Sequence, residues 1–346
     1  MIAMVIAAAW GCGPAAQPPP DGGGTNTESL RCSSAEYIAF DPANHAPQDL
    51  RLQRIGEILA LFDPTIAVDP ADLAIRADAA TATYEAADAS LAVKVQGRED
   101  LHFEVGDPRR SVGAGLHETI LGAIQDLRAA TTPKQVDLAR EKLEKAGFYR
   151  WLYLSVNEEL REPSYEHYDE AYGYLGTGQT NAEAGRRGLA LVATERDASN
   201  GTTLASELFV LIKDGSCIIE KGLQERNALS MALTADPAYA AQVETIDARL
   251  QTVFAYSLGH EIFEIAQDPT DKDVELVEAI GLFRTLEPYL LAASQGSAKR
   301  SLGEALKAAL ETADTQRQNG QVWVSGFDAA SLLQQIETTY VIDVKG

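Results

Sequence analysis

The segment LRLQRIGEILALF, residues 50–62, places an apolar side chain at every third or fourth position. Leu52, Ile55, Ile58, Leu59 and Phe62 follow this spacing, which aligns side chains along one face of an α-helix. The segment is therefore predicted to be a helix with one apolar face.

The same helical period recurs along most of the chain. It predicts further helices at residues 115–127, 136–160, 165–175, 204–211, 240–266, 274–293, 302–313 and 329–340. Strand-like alternation occurs only at residues 91–95 and 322–324, and neither run has a convincing partner. We therefore predict an all-α fold, a multi-helix bundle built from repeated helical hairpins.

Composition limits the partners of the protein. The chain has 346 residues, with 29 Lys and Arg against 51 Asp and Glu, for a net charge of −22. Such a negative surface repels phosphate backbones, and no run rich in Lys and Arg offsets it, so no nucleic-acid partner is expected. With 45% hydrophobic residues, the chain can bury a substantial core, and residues 31–346 are predicted to form a single domain.

The N-terminal residues predict export and a membrane anchor. Residues 1–10 (MIAMVIAAAW) form an apolar run that is too short for a bilayer-spanning helix of roughly 20 residues but typical of an export signal. Residues 1–11 are the predicted signal peptide, and the Pro- and Gly-rich residues 12–30 are a predicted tether. The pattern resembles a bacterial lipoprotein with a lipidated Cys12. This places the protein in the periplasm or at the cell surface, lipid-anchored, with the outer membrane preferred; an ordinary cleaved signal peptide is the alternative.

The two other cysteines, Cys32 and Cys217, leave two possibilities open. An oxidising periplasm permits a disulfide that ties the start of the folded domain to its middle. Two buried free thiols are the alternative. A zinc site is disfavoured because neither cysteine has a CxxC or CxxH spacing.

Two segments of the chain align with each other and predict an internal repeat, at about 148–176 and 254–284. LSVNEEL at 154–160 aligns with YSLGHEI at 256–262, and EAYGYL at 170–175 aligns with EAIGLF at 278–283 after a longer connector. The alignment pairs metal-ligand types: Glu158 with His260, Glu159 with Glu261, His167 with Glu275, and Glu170 with Glu278. A coincidence of helical periodicity is the alternative.

The same segments hold the residues best suited to bind a metal. In HYDE, residues 167–170, a histidine and a glutamate three positions apart share a helix face. Facing helices that each supply such a pair form metal sites in bundles, and imidazole mixed with carboxylate favours a transition metal such as iron. The first-choice ligands are His167, Glu170, His260 and Glu278, with Glu158, Glu261, Glu264 and Glu275 as second choices. A solvated acidic face with a core histidine is the alternative.

Four segments carry a resemblance to a known family. They are FYRWLY at 148–153, EHYDEAYGYLG at 166–176, RLQTVFAY at 249–256 and EAIGLFRTLEP at 278–288. Together they resemble the algal iron-assimilating periplasmic proteins and their bacterial lipoprotein relatives, which implies a secreted helical protein linked to iron uptake. The HxxE motif also resembles that of the imelysin family, in which it is a proposed metal site. Imelysins have glycine where Tyr165 stands, so no peptidase activity is carried over.

These features predict an envelope-anchored lipoprotein that binds a transition metal, iron first, and assists metal acquisition. Its expected partners are the metal ion, the membrane through its lipid, and a protein of an uptake system. No GxSxG, HExxH, Walker or GxGxxG signature is present, so no enzymatic activity is predicted. A ferroxidase-like di-metal enzyme and a structural or protein-binding lipoprotein without metal are the alternatives.

Overall fold

The computed structural model describes residues 30–66, 68–97, 103–162, 164–176, 188–226, 236–267 and 272–345. The predicted signal peptide, Cys12 and nearly all of the predicted tether lie outside these ranges. Within them, no helix is both long and apolar enough to cross a membrane.

The all-α class predicted from the sequence is confirmed, and the described residues contain no strand. The helices are α1 (Leu30–Ser33), α2 (Ala46–Ala60), α3 (Pro70–Tyr84), α4 (Leu91–Gln96), α5 (Pro108–Val112), α6 (Leu116–Ala129), α7 (Pro133–Glu141), α8 (Arg150–Glu159), α9 (Tyr165–Leu175), α10 (Gly188–Asn200), α11 (Leu204–Arg226), α12 (Pro237–Gln267), α13 (Lys272–Ala292), α14 (Ala298–Gln318) and α15 (Ala329–Tyr340). They pack around one hydrophobic core.

A continuous helical rod, residues 133–159, runs through this core. It consists of α7, a π-helical segment at Lys142–Tyr149, and α8. Thr132 caps its start by accepting a hydrogen bond from the main-chain N–H of Gln135, and Pro133 occupies the first turn, where no N–H is needed. At about 1.5 Å per residue the rod is about 40 Å long. All residues of α8 are buried, so polar groups at the C-terminal end of the rod lie inside the protein, whereas residues 133–135 at its start are exposed.

The two predicted hairpins correspond to helix pairs that pack on each other, α8 with α9 and α12 with α13. The longer connector predicted for the second pair is instead helix, because α12 continues to Gln267 before α13 begins at Lys272. Glu159 therefore ends its helix, whereas the aligned Glu261 lies within α12. The internal repeat stays a prediction.

Glycine permits a close approach of helices at one matching position in each pair. A Cβ on Gly173 of α9 would lie 2.8 Å from Cβ of Gln48 on α2. A Cβ on Gly281 of α13 would lie 2.8 Å from the main-chain nitrogen of Ala146 in the π-helical segment. Both helices therefore sit closer to their neighbours than any larger residue would allow.

Residues 91–95, whose alternation is strand-like in sequence, form the helix α4, in agreement with the all-α prediction. Leu91 and Val95 are buried, but Val93 between them is 64% exposed. In a strand all three would share one face, whereas in a helix residues four apart share a face and the middle one points away. Residues 322–323 are irregular, and Val324 begins a 3₁₀ turn, Val324–Gly326.

A disulfide joins Cys32 of α1 to Cys217 of α11, with their Cα atoms 4.8 Å apart. The sequence left open a disulfide or two buried free thiols, and the structure contains the disulfide. Arg31 reinforces the same contact through an ion pair of 3.1 Å with Glu220. The N-terminal end of the described chain is therefore fixed to the middle of the fold.

Candidate metal centre

The C-terminal end of the rod meets the first turn of α9. Glu159 is the last residue of α8, and Ser164 caps α9 by accepting a hydrogen bond of 3.0 Å from the main-chain N–H of His167. The short connection turns the chain back, so His167 lies against the end of the helix that precedes it. Local sequence alone therefore brings a histidine and a helix-terminal glutamate together.

Three carboxylates surround the His167 imidazole, and we call Glu159, Glu162, His167 and Glu170 the His167 cluster. Nδ1 of His167 lies 2.6 Å from Oε2 of Glu159 and 3.8 Å from Oε2 of Glu170. Nε2, on the other side of the ring, lies 2.7 Å from Oε2 of Glu162. One ligand atom from each of Glu159, His167 and Glu170 can be chosen so that all three lie within 4.8 Å of one another.

Electrostatics at the His167 cluster favour bound protons. Burial raises the pKa of Glu159 to about 8, in spite of the hydrogen bond with His167, and the nearby Glu170 adds to the rise. Burial disfavours the imidazolium of His167, but hydrogen bonds with Glu159 and Glu162 raise its pKa to about 10. At neutral pH the ring is therefore protonated and donates from both nitrogens.

One carboxylate oxygen of the cluster is poorly satisfied. Glu159 has a side chain that is only 1% exposed, and its Oε1 is a buried atom that accepts no hydrogen bond from the described residues. Nζ of Lys94 lies 3.9 Å from this oxygen. A buried carboxylate oxygen in this state costs free energy that a bound cation would recover.

Asp169, between the two cluster residues of α9, fixes the rotation of that helix. This fully buried carboxylate accepts hydrogen bonds from the Tyr37 hydroxyl, the main-chain N–H groups of Phe40 and Asp41, and the Asn44 amide, at 2.8 to 3.1 Å. Because Asp169 faces the N-terminal segment, His167 and Glu170 are held on a different side, toward the end of α8.

The predicted ligands on α12 and α13 do not join His167 and Glu170. Glu261 and Glu278 lie instead in a second buried group, beside Lys145 near the middle of the rod, about 20 Å along its axis from Glu159. His260 and Glu275 are close to that group, and Glu264 neighbours His260. The predicted four-residue site thus divides between two places, because α13 packs on the π-helical segment rather than on the end of α8.

This second group, the Lys145 cluster, contains Glu141, Glu144, Lys145, Glu261 and Glu278. Nζ of Lys145 lies 3.8 Å from Oε2 of Glu141, 3.9 Å from Oε1 of Glu144 and 3.9 Å from Oε1 of Glu278. Burial and a side-chain hydrogen bond with Glu278 raise the pKa of Glu141 to about 8. Burial and the nearby Glu261 raise the pKa of Glu278 to about 8.

Lysine gives the Lys145 cluster a different chemistry from the His167 cluster. Burial disfavours the ammonium of Lys145, but Glu144 and Glu141 raise its pKa above the ordinary value. A permanently charged ammonium neutralises carboxylates and repels a metal ion from the same space. The Lys145 cluster is therefore suited to holding helices together.

Several residues of the two clusters were missed by sequence reasoning. Glu159 was aligned with Glu261 but not selected as a ligand, and Glu162 was not considered. The available signal was that a helix ends at Glu159 only five residues before the helix that carries HxxE. Glu158, a second-choice ligand, instead lines a neighbouring cleft with Arg109 and Arg161.

No protein-family model, curated protein or solved structure matches this chain. The resemblance to iron-assimilating proteins and imelysins therefore stays a prediction from the quoted segments.

Proposed function

We propose that the protein is a lipid-anchored envelope protein that binds one transition-metal ion, preferably iron, at the His167 cluster and assists its acquisition. The observation that carries the proposal is the convergence of Nδ1 of His167 with carboxylate oxygens of Glu159 and Glu170 within 4.8 Å. Ligand atoms bound to a first-row metal at about 2.1 Å lie about 3 to 4 Å from one another. Small side-chain movements would bring this group into that range.

Glu162 has a separate role in the proposal. Its carboxylate lies at Nε2 of His167, on the opposite side of the ring from Glu159. A carboxylate at the second ring nitrogen holds a metal-binding histidine in the correct tautomer and orientation. Glu162 would therefore position the imidazole, while Nδ1 loses its proton to the solvent as the metal binds.

The donor set supports a transition metal over calcium or magnesium. One imidazole and two carboxylates suit iron, manganese or zinc, whereas calcium and magnesium prefer oxygen ligands alone. The compartment is supported by the apolar residues 1–10, the tether and the Cys32–Cys217 disulfide, since disulfides persist mainly in oxidising environments. Iron as the preferred metal comes from the sequence resemblance.

Metal-dependent stability tests the proposal. The full chain with Cys12→Ser, which prevents lipidation, is unfolded by heat and by urea with Zn²⁺, with anaerobic Fe²⁺, and with a chelator. At a hundredfold excess over the dissociation constant, a metal that binds only the folded state adds about 2.7 kcal/mol of stability. His167→Ala is expected to remove this gain. Oxygen consumption with Fe²⁺ separates binding from ferroxidase turnover.

His117→Ala is the matched control. Nδ1 of His117 contacts the Tyr84 hydroxyl at 3.0 Å and Nε2 contacts the Gln96 amide at 2.9 Å, so this histidine has neutral partners. Its variant is expected to keep the full gain from metal. Equal gains in His167→Ala and the wild type, or no gain with any metal, would contradict the proposed site.

A further inference from the structure

A cleft between the start of α11, the middle of α12 and the end of α15 has a wall rich in hydroxyl groups. Its volume is about 440 Å³, within the range of small-molecule sites, roughly 300 to 1,000 Å³. Half of its lining residues carry a hydroxyl, namely Thr202, Thr203, Thr245, Thr252, Tyr256 and Tyr340. A hydroxyl both donates and accepts hydrogen bonds, so this wall suits a ligand that itself carries several hydroxyls.

One face of α12 supplies much of the lining, through residues that follow the helical period: Thr245, Ala248, Arg249, Thr252 and Tyr256. The hydroxyls of Thr245 and Thr252 each donate to the main-chain carbonyl four residues earlier, at 2.7 and 3.0 Å. These bonds fix the two hydroxyl groups and use their protons, but the oxygens keep lone pairs that can accept from a ligand. The helix therefore presents two acceptors at set positions in the cleft.

The charges on the lining of the cleft offset each other. Among the described residues that line it, only Arg249 and Glu207 are charged, and they form an ion pair of 3.0 Å. Thr203 also donates a hydrogen bond of 2.8 Å to Glu207. A ligand with a net charge would meet no unpaired counter-charge in this lining. An uncharged ligand with hydroxyl groups could instead accept from the guanidinium and donate to the carboxylate.

The end of α15 departs from two local rules at the edge of this cleft. The hydroxyl of Tyr340 is buried and has no hydrogen-bond partner among the described residues, a state that costs free energy. Val341 ends the helix with a φ of 56°, a left-handed conformation that glycine usually supplies and a β-branched residue rarely adopts. Its apolar side chain is nevertheless 90% exposed, so packing does not explain it. Such departures concentrate at ligand sites.

We infer that this cleft binds a small neutral sugar. A sugar carries hydroxyls around its ring, which match the hydroxyls and the ion pair of the cleft. It also has C–H faces, which match the apolar side chains of Leu204, Val341 and Ile342. A bound ring that accepted a hydrogen bond from Tyr340 and covered Val341 would account for both departures at the end of α15. The inference does not rest on the proposed metal site, because the two use different residues.

Ligand-detected NMR titration of the full chain with Cys12→Ser, in the presence of a chelator, tests this inference. The probes are glucose, galactose and mannose, each compared with its uronate and its amino sugar at mildly acidic pH. At least one of the neutral sugars is expected to bind saturably, and more tightly than its two charged counterparts. The chelator keeps the result independent of metal binding.

Two substitutions on the cleft face of α12 locate the binding. Ala248 is exposed, so Ala248→Trp can fill the cleft without disturbing the core and is expected to abolish binding. Thr252→Val removes one hydroxyl and is expected to weaken binding roughly threefold to tenfold, the effect of one lost hydrogen bond. Circular dichroism checks that both variants fold.

Thr119→Val is the matched control, because Thr119 also donates to the carbonyl four residues earlier, at 2.8 Å, but lies on α6 outside the cleft. It is expected to bind sugar as the wild type does. Absence of saturable binding by all three neutral sugars would overturn the inference, and so would wild-type affinity in Ala248→Trp. A uronate or an amino sugar that binds as tightly as its neutral counterpart would overturn the assignment to an uncharged ligand.

Discussion

The two buried acidic clusters differ chiefly in the base that their carboxylates surround. The His167 cluster lies at the C-terminal end of the rod, and the Lys145 cluster lies about 20 Å away along the same rod. Each has carboxylates around one central base, and each contains glutamates whose pKa is raised to about 8. A second base lies beside each cluster, Lys94 near Glu159 and Arg140 paired with Glu141 and Glu144. Imidazole is a common metal ligand once it releases a proton, whereas carboxylates raise the pKa of the Lys145 ammonium, which therefore keeps its proton.

This difference explains why acidic residues alone do not identify a metal site. The Lys145 cluster holds more glutamates, yet its base serves as their counter-ion and its groups join α7, the π-helical segment, α12 and α13. The His167 cluster joins two consecutive helices. Each cluster leaves one glutamate oxygen without a hydrogen bond from the described residues, Oε1 of Glu159 and Oε2 of Glu141. We therefore expect the Lys145 cluster to matter most for stability and the His167 cluster to matter most for binding.

Removing the lysine should produce the largest effect on stability. Lys145→Met removes the ammonium beside Glu141, Glu144 and Glu278, and breaking a buried ion pair from one side costs about 3 to 5 kcal/mol. Arg140 remains paired with Glu141 and Glu144, so Glu278 is the carboxyl group most affected. Urea unfolding measures the change. Lys142→Met is the control three residues away, because its partner Asp126 is exposed and such pairs contribute at most about 1 kcal/mol. Similar losses in the two variants would remove the distinction between the clusters.

Matched glutamate substitutions should separate the clusters in metal binding. Glu159→Gln and Glu261→Gln each replace a buried carboxyl group by an amide, the first beside His167 and the second beside Lys145. Glu159→Gln is expected to weaken binding of Zn²⁺ at least tenfold, about 1.4 kcal/mol, and Glu261→Gln to leave it unchanged. Competition with a fluorescent chelator measures both affinities. The reverse order would place the metal in the Lys145 cluster.

The all-α fold could be predicted from the sequence because long apolar periods dominate it. Besides α4, the helices that were missed are α1, α3, α5 and α10. The helices α1 and α5 have only four and five residues, and the buried face of α3 includes the small side chains of Ala77 and Ala80. Segment 91–95 was too short for its period to separate a strand from a helix. The sequence also has far fewer Lys and Arg than Asp and Glu, so few cations are left to pair with all of the carboxylates.

Half of the candidate site could be predicted from the sequence, and the reason lies in its geometry. His167 and Glu170 lie on one helix, so their spacing alone brings them together. His260 lies on α12, and whether Glu278 joins them depends on which part of the rod α13 packs against. That packing depends on the close approach at Gly281, which no spacing rule reveals.

The pH dependence of stability should show a gradual effect with the clearest sign. Glu141 has a pKa of about 8 in the folded protein against an ordinary value of 4.5, so between these values the folded state holds a proton that the unfolded state releases. Stability from this group therefore falls as pH rises from about 4.5 to 8. Glu141→Gln removes the titration, and the slope should become shallower by up to about 1.4 kcal/mol per pH unit.

Urea unfolding at a series of pH values measures this slope in the wild type and in Glu141→Gln. Glu57→Gln is the control, because hydrogen bonds from Arg54 and Gln53 lower the pKa of Glu57 and it titrates below this range. Zn²⁺ should become more stabilising as pH rises, since it competes with protons for His167, but the difference between wild type and Glu141→Gln should stay the same. A difference that changes with Zn²⁺ would mean that the two clusters are coupled along the rod.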